Sequence, residues 1–274
     1  MTQTLTGTTG PRTGRRAGAS IGLYLLLVVA GLVVVTPSLL ALPDPELTTR
    51  ISLGLTTLAL GAAGLVLLPR SRLRVATVLP ALVMGASFCA GSALTLDRLA
   101  SGPRMNEQLT GPFAEEIVLL IGAVSALLVA RNRLHGPLDG LVIGFGVGTG
   151  LAVMQVVLSA AEPPEAASVG VVVLWQVLSG LATQAVPGAV LGATAAYVLV
   201  SRGRRWDVVI AGLAALLVLH LGWEASLLVL SGRRAVPVVL LLFAVGIALL
   251  LITRRVATRF EAQEAAAVRP AVRG

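Results

Sequence analysis

Apolar positions along this chain form runs of about 20 residues, and short polar stretches separate the runs. A helix that rises 1.5 Å per residue needs about 20 residues to cross about 30 Å of hydrocarbon. The pattern therefore predicts an all-α, polytopic membrane helix bundle with about eight transmembrane helices. The predicted spans are 19–42, 51–68, 75–96, 112–130, 140–161, 180–200, 208–230 and 235–253.

The stretch 167–201 is too long for one upright helix and too short for two complete spans with a turn. Two spans here would move the later arginine clusters to the opposite side of the membrane. We therefore expect an interfacial or re-entrant piece at 167–178, with Trp175 at the outer interface, that leads into a single span.

The charge distribution predicts the orientation. All 21 basic residues are arginine, and 16 of them lie in segments that alternate with segments holding the other 5. By the positive-inside rule, both termini are cytoplasmic. We expect a disordered cytoplasmic tail at 1–18, a transmembrane bundle at 19–255 and a second cytoplasmic tail at 256–274. The net charge of +8 is then a topology signal, and no nucleic-acid partner is expected.

The composition agrees with a lipid solvent, since 56% of the residues are hydrophobic, 12% are charged and the mean hydropathy is +0.91. We expect a multi-pass protein of the cell inner or plasma membrane, in contact with membrane lipids. The single cysteine, Cys89, allows neither an intrachain disulfide nor a thiolate metal cluster. The predicted outer loops are short, so any chemistry must take place within the helix bundle.

Four ionisable side chains lie inside apolar runs, where an ionised group costs about 3 kcal/mol at mid-bilayer. They are Glu115, Glu116, His220 and Glu224, whereas the remaining acids lie in loops or at span ends. The predicted orientation places all four in the outer part of the membrane. His220 and Glu224 share one helix face, because they are four residues apart. Such residues indicate a functional site by default.

Two features of the fourth span bear on its glutamates. Gly111 and Pro112 fit an N-cap and first-turn pair, which would place Glu115 and Glu116 near free backbone amides and the positive end of the helix dipole. The dipole favours an ionised carboxylate and burial opposes it, a balance that suits a general base. Adjacent residues diverge by about 100° on a helix, so the two carboxylates cannot point in one direction.

Three further motifs accompany this pair: the glycine-rich PLDGLVIGFGVGTGLAVMQ (137–155), TQAVPGAVLG (183–192) and VLHLGWEASL (218–227). Together with GPFAEEIVLL (111–120), their order and spacing resemble the PrsW family of membrane-embedded proteases, distant relatives of the CAAX-type prenyl proteases. The resemblance covers about 75–230. The family pattern has a double glutamate with a basic residue three positions on, a glycine-rich span ending in an aromatic-small-x-x-Glu, and two later helices that each carry a histidine.

The chain departs from that pattern at several positions. Leu119 stands where the basic residue is expected, Leu151 replaces the aromatic residue, Gln155 replaces the glutamate of the second motif and Gln184 replaces the first histidine. Glu224 stands where the family usually has asparagine. The polar replacements keep hydrogen-bonding side chains at matching depths. We therefore predict one polar layer, formed by Glu115, Glu116, Gln155, Gln184, His220 and Glu224.

The resemblance implies an intramembrane protease that cleaves single-span membrane proteins, such as anti-sigma factors, near the outer face. One of Glu115 or Glu116 would activate water as general base, with His220 orienting the water or stabilising the oxyanion. Gln155 and Gln184 could donate amide hydrogens to the tetrahedral intermediate. A metal-free mechanism is favoured, because the motifs fit no strong zinc signature.

Three alternatives stay open. A divalent metal such as zinc could be held by Glu116 or its neighbour, His220 and Glu224, which leaves an open position for water. The chain could be a catalytically inactive relative that still binds transmembrane segments, as the altered motifs allow. A transporter or channel would instead distribute polar residues through the full membrane depth.

The glycines of GFGVGTG (144–150) lack the spacing of a nucleotide loop and have no strand before them. Glycines four residues apart, Gly144 with Gly148 and Gly188 with Gly192, predict close helix packing. Pro187 predicts a kink in the sixth span.

Overall fold

The computed structural model describes residues 12–41, 44–67, 75–100, 107–158, 179–201, 205–229 and 235–268. In those ranges the chain forms eight helical rods and no strand, which confirms the predicted all-α bundle. Six rods are α1 (Arg12–Leu40), α2 (Asp44–Leu67), α4 (Glu107–Ala130), α5 (Pro137–Leu158), α7 (Trp206–Val229) and α8 (Ala235–Val268). The third, α3, is built from Val75–Met84, Gly85–Cys89 and Ala90–Ala100, and the sixth, α6, from Leu181–Ala185 and Val186–Val200.

Seven of these rods, within the described ranges, are long and apolar enough to cross a membrane. The predicted second span at 51–68 falls on α2, which is not one of the seven. The piece expected at 167–178, with Trp175, lies outside the described residues. The bundle as a whole matches a polytopic membrane protein, as the apolar pattern predicts.

Helix α5 lies at the centre of the bundle and packs most extensively against α6. A Cβ atom added at Gly144 would overlap the backbone carbonyl of Gly188, and one at Gly192 would overlap the carbonyl of Gly140. Only glycine lets two helix backbones approach this closely. The predicted close packing of the glycine pairs on α5 and α6 is therefore confirmed.

Two rods contain a π-helical turn, at Gly85–Cys89 in α3 and at Leu181–Ala185 in α6. Such single turns insert one extra residue and are frequent at functional sites. The turn in α6 ends immediately before Val186 and Pro187. Gln184 lies in this turn. The kink expected at Pro187 stays a prediction.

One end of the bundle, defined by Asp139 and Glu261 and called here the capped end, contains part of the predicted second tail. Helix α8 continues to Val268, and Glu261 Oε1 accepts a hydrogen bond of 3.0 Å from the backbone N–H of Leu138. That N–H belongs to the first turn of α5, where no intrahelical partner exists. The ring of Phe260 packs edge-on against Tyr197 at 4.8 Å. Residues 256–268 thus extend the eighth helix and contact the bundle.

Helix α4 begins earlier than the sequence predicts. It starts at Glu107, so Gly111 and Pro112 lie inside it and do not cap it. The prediction that Glu115 and Glu116 benefit from free amides at a helix start is therefore wrong, because the dipole effect is confined to the first turn. Side chains from α5, α6 and α7 instead contact the two glutamates of α4.

Candidate active site

Glu115 is held by two glutamines from two other helices. Gln155 Nε2, on α5, donates to Glu115 Oε1 at 2.9 Å, and Gln184 Nε2, on α6, donates to Glu115 Oε2 at 2.6 Å. Only 16% of the Glu115 side chain is exposed and Gln184 is fully enclosed. Hydrogen bonds to an ionised acceptor are short and strong, and a buried carboxylate needs them. The two amides therefore compensate the charge of Glu115.

Glu116 points to a different partner, as the divergence of adjacent helical residues requires. Its Oε1 lies 3.2 Å from Nδ1 of His220 on α7, and both side chains are buried. The pair joins α4 to α7. A carboxylate next to an imidazole is an arrangement that can orient the ring and move a proton.

The two pairs are close enough to interact electrostatically. His220 Nε2 lies 3.7 Å from Glu115 Oε2, so the imidazole stands between the two carboxylates. The structure thus brings together five of the six residues of the predicted polar layer: Glu115, Glu116, Gln155, Gln184 and His220. Four different helices contribute to this cluster.

The close approach of α5 and α6 explains how the two glutamines reach the same carboxylate. A Cβ atom added at Gly148 would overlap the backbone carbonyl of Gln184. At Gly148 no side chain therefore separates α5 from the π turn of α6, and this contact lies about two turns before Gln155 on α5. The close packing at the glycines therefore also positions the two glutamines of the polar layer.

Two oxygen atoms in the cluster have no hydrogen-bond partner within the described part of the chain. They are Glu116 Oε2 and Gln184 Oε1, and both are inaccessible to solvent. Buried polar atoms are nearly always satisfied, so an unsatisfied one in a native protein calls for a physical explanation. Both atoms are acceptors, and a water molecule or a proton on Glu116 would satisfy them.

His220 also faces a small cavity between α6, α7 and α8. The cavity has a volume of about 20 Å³, and Trp223, Pro187, Phe243 and Gly246 are among its lining residues. A volume of this size is enough for one water molecule. Sequence reasoning missed Trp223, although its position three residues after His220, on the same face of an apolar helix, was a usable signal.

The remaining sequence departures lie in different surroundings. Leu119, at the position of the expected basic residue, and Leu151, at that of the aromatic residue, are fully buried in the apolar core. Glu224 is half-buried one turn along α7 from His220, and no hydrogen bond joins it to another described residue. Cys89 is buried, with Sγ 3.6 Å from the carbonyl of Val118.

A divalent metal requires several oxygen, nitrogen or sulfur donors that converge on one point. Among the described residues, no group of three or more His, Cys, Asp or Glu side chains is placed to hold a metal ion. Glu116, His220 and Glu224 do not form such a group. Both oxygens of Glu115 accept amide hydrogens, and an amide nitrogen has no lone pair for a metal. This arrangement does not fit a bound divalent cation.

Comparison with known proteins agrees with the motifs. Residues 49–251 match the family model described as PrsW family intramembrane metalloprotease. No curated protein and no solved structure matches the chain significantly. The matched region runs from α2 to α8 and contains every member of the polar layer, so the chain belongs to the PrsW family of intramembrane proteases.

Proposed function

We propose that this protein is an endopeptidase that cleaves single-span membrane proteins, of the anti-sigma-factor kind, near the outer face of the membrane, with Glu116 as general base. Membership of an intramembrane protease family provides the reaction class. The substrate class follows from the resemblance, and the predicted orientation of the chain gives the depth of cleavage.

The observation that carries this assignment is the difference between the two glutamates. Both oxygens of Glu115 are occupied by glutamine amides, whereas Glu116 keeps one oxygen unpartnered and has its other oxygen against His220. A general base needs a free lone pair directed at its water, and a fixed orientation. Glu116 meets both requirements, and Glu115 supplies a fixed negative charge beside the imidazole.

The reaction can be written with this chain's residues alone. Glu116 Oε2 takes a proton from water, and the water oxygen attacks the carbonyl carbon of the scissile peptide bond. The proton then passes from Glu116 to the leaving nitrogen as the C–N bond breaks. With its proton on Nδ1, His220 donates to Glu116 Oε1, and Glu115 beside Nε2 stabilises the ring when it is protonated.

A specific observation favours a second function, the binding of transmembrane segments without cleavage. Glu116 is fully enclosed in the described structure, so a substrate reaches it only if the surrounding helices separate. A relative that binds segments would keep the polar layer and lack this opening. A transporter is disfavoured, because the buried acid, amide and imidazole side chains of Glu116, Gln184 and His220 converge in one cluster.

The test is mass-spectrometric detection of new peptide termini after the protein, reconstituted in lipid, is incubated with a library of single-span segments. We expect cleavage by wild type and none by Glu116→Gln or His220→Ala. Glu261→Gln is the matched control, since it makes the same carboxylate-to-amide change at the capped end and should cleave normally.

The outcomes separate the two functions. Equal cleavage by Glu116→Gln and wild type would overturn the role of Glu116 as base. No cleavage by wild type, when an active family member succeeds on the same library, would favour segment binding. Co-purification of a library segment with the uncleaving protein would then support that second function.

A further inference from the structure

The family description names a metalloprotease, yet the polar layer of this chain is held together by hydrogen bonds. We propose that Gln155 and Gln184 take the place of a metal ion, so that the layer of this protein binds no divalent cation. The inference concerns what holds the layer together and does not depend on whether the chain cleaves a substrate.

The first step is the state of Glu115. A carboxylate binds a metal through its oxygen lone pairs, at about 2.0–2.2 Å for zinc. Here each oxygen faces an amide N–H, at 2.9 Å from Gln155 and 2.6 Å from Gln184. Each amide engages one lone pair of a carboxylate oxygen and supplies partial positive charge, so Glu115 is compensated without a cation.

The second step is the set of donors that remains. A catalytic zinc site has three protein ligands and an open position. Both oxygens of Glu115 accept amide hydrogens. The other donors of the cluster are Glu116 and His220, which are 3.2 Å apart and hydrogen-bonded to each other. Gln184 Oε1 is unpartnered, but a neutral amide oxygen is a poor zinc ligand compared with carboxylate, thiolate or imidazole.

The third step is a geometric consequence. The side-chain ends at positions 155 and 184 both lie within hydrogen-bond distance of the Glu115 carboxylate, and His220 Nε2 is 3.7 Å from it. A carboxylate at 155 and an imidazole at 184 would therefore converge with Glu115 and His220 around one point. Four oxygen and nitrogen donors in that arrangement suit zinc. The two glutamines are thus the residues that decide whether a metal binds.

The experiment measures zinc content. Wild type, the double variant Gln155→Glu/Gln184→His and the control Gln263→Glu are purified without chelator, exposed to zinc, freed of excess metal and analysed by elemental mass spectrometry. Gln263 is exposed on α8, so its variant matches the charge change outside the layer. We expect close to zero zinc per chain in wild type and in the control, and about one in the double variant.

A second measurement is the melting temperature with and without zinc. A ligand that binds only the folded state raises the melting temperature, so zinc should raise it for the double variant and leave wild type and Gln263→Glu unchanged. About one zinc per wild-type chain would overturn the proposal. So would a folded double variant without zinc, because the glutamines would then not be what excludes the metal.

The single variant Gln184→His covers the case in which the double variant does not fold. Imidazoles at 184 and 220 with Glu115 provide the minimum of three ligands, and the same zinc measurement applies. None of these readouts requires proteolysis. A failure of the cleavage assay therefore leaves the zinc result intact, and a zinc-binding wild type would leave the protease assignment standing.

Discussion

Carboxylates serve different purposes in the polar layer and at the capped end. At the capped end, Glu261 accepts a hydrogen bond from the backbone N–H of Leu138, and Asp139 accepts one from that of His135. In the polar layer, Glu115 and Glu116 are joined to side chains of other helices, and one oxygen is left without a partner. The carboxylates of the capped end satisfy backbone N–H groups, whereas Glu116 Oε2 in the polar layer can still accept a proton or a hydrogen bond.

Removing one carboxylate from each region tests this difference most directly. We expect Glu116→Ala to lower the cleavage rate by about 10²–10⁴-fold, the usual contribution of a general base. Glu261→Ala should leave the rate within about twofold of wild type, since it removes a cap and no reacting group. Initial rates on one cleaved segment, in the same lipid, provide the comparison. Equal losses of cleavage rate in the two variants would contradict the proposed difference between the two regions.

The second prediction concerns the amides that hold Glu115. Gln184→Leu removes a donor from a buried carboxylate, which costs about 1–3 kcal/mol of folding free energy, or more if the charge stays uncompensated. Thermal unfolding in detergent should show a clear fall in melting temperature. Gln263→Leu, at an exposed position on α8, is the matched control and should have the melting temperature of wild type. A stable Gln184→Leu protein would mean that the amide does not compensate Glu115.

A smaller effect is expected from the cap itself. Glu261→Ala leaves the backbone N–H of Leu138 without its side-chain acceptor, and the loss of a cap costs about 0.5–2 kcal/mol. The melting temperature should fall by less than in Gln184→Leu, while cleavage persists. A fall as large as that of Gln184→Leu would indicate that the extension of α8 stabilises the whole bundle.

The smallest effect should come from the exposed pair of Arg205 and Asp207, whose charged groups are 3.1 Å apart. Exposed ion pairs contribute little, because water and salt screen them. Arg205→Ala should therefore change neither the melting temperature nor the cleavage rate measurably. A measurable loss of cleavage would show that this loop participates in function.

Much of this arrangement is predictable from the sequence, and the reasons are physical. Apolar runs indicate the helices because every membrane-buried backbone group must be bonded within its own segment. Glycines four residues apart indicate the contact of α5 with α6, and the scarcity of polar residues in apolar runs singles out Glu115, Glu116 and His220. The layer could be predicted because burying such groups in lipid is costly.

The sequence could not assign the partners within the layer. Which glutamate contacts His220 depends on the rotation of α4 against α7, and the divergence of adjacent residues excludes only that both do so equally. The early start of α4 at Glu107 and the π turn at Leu181–Ala185 also depend on tertiary packing, which overrides local signals at helix ends. The extension of α8 to Val268 could not be predicted, because residues 256–268 have mixed charge and form no apolar run.

The glycine contact between α5 and α6 has a mechanical consequence. At Gly144, Gly148 and Gly188 the two backbones are in direct contact. Sliding of one helix past the other would bring backbone atoms into collision there, so we expect this pair of helices to keep Gln155 and Gln184 in register. The apolar spans of α7 and α8 are different, since only 22% and 11% of their residues are buried within the protein. Any rocking that admits a bulky segment is therefore expected in α7 and α8, and it would carry His220 with it.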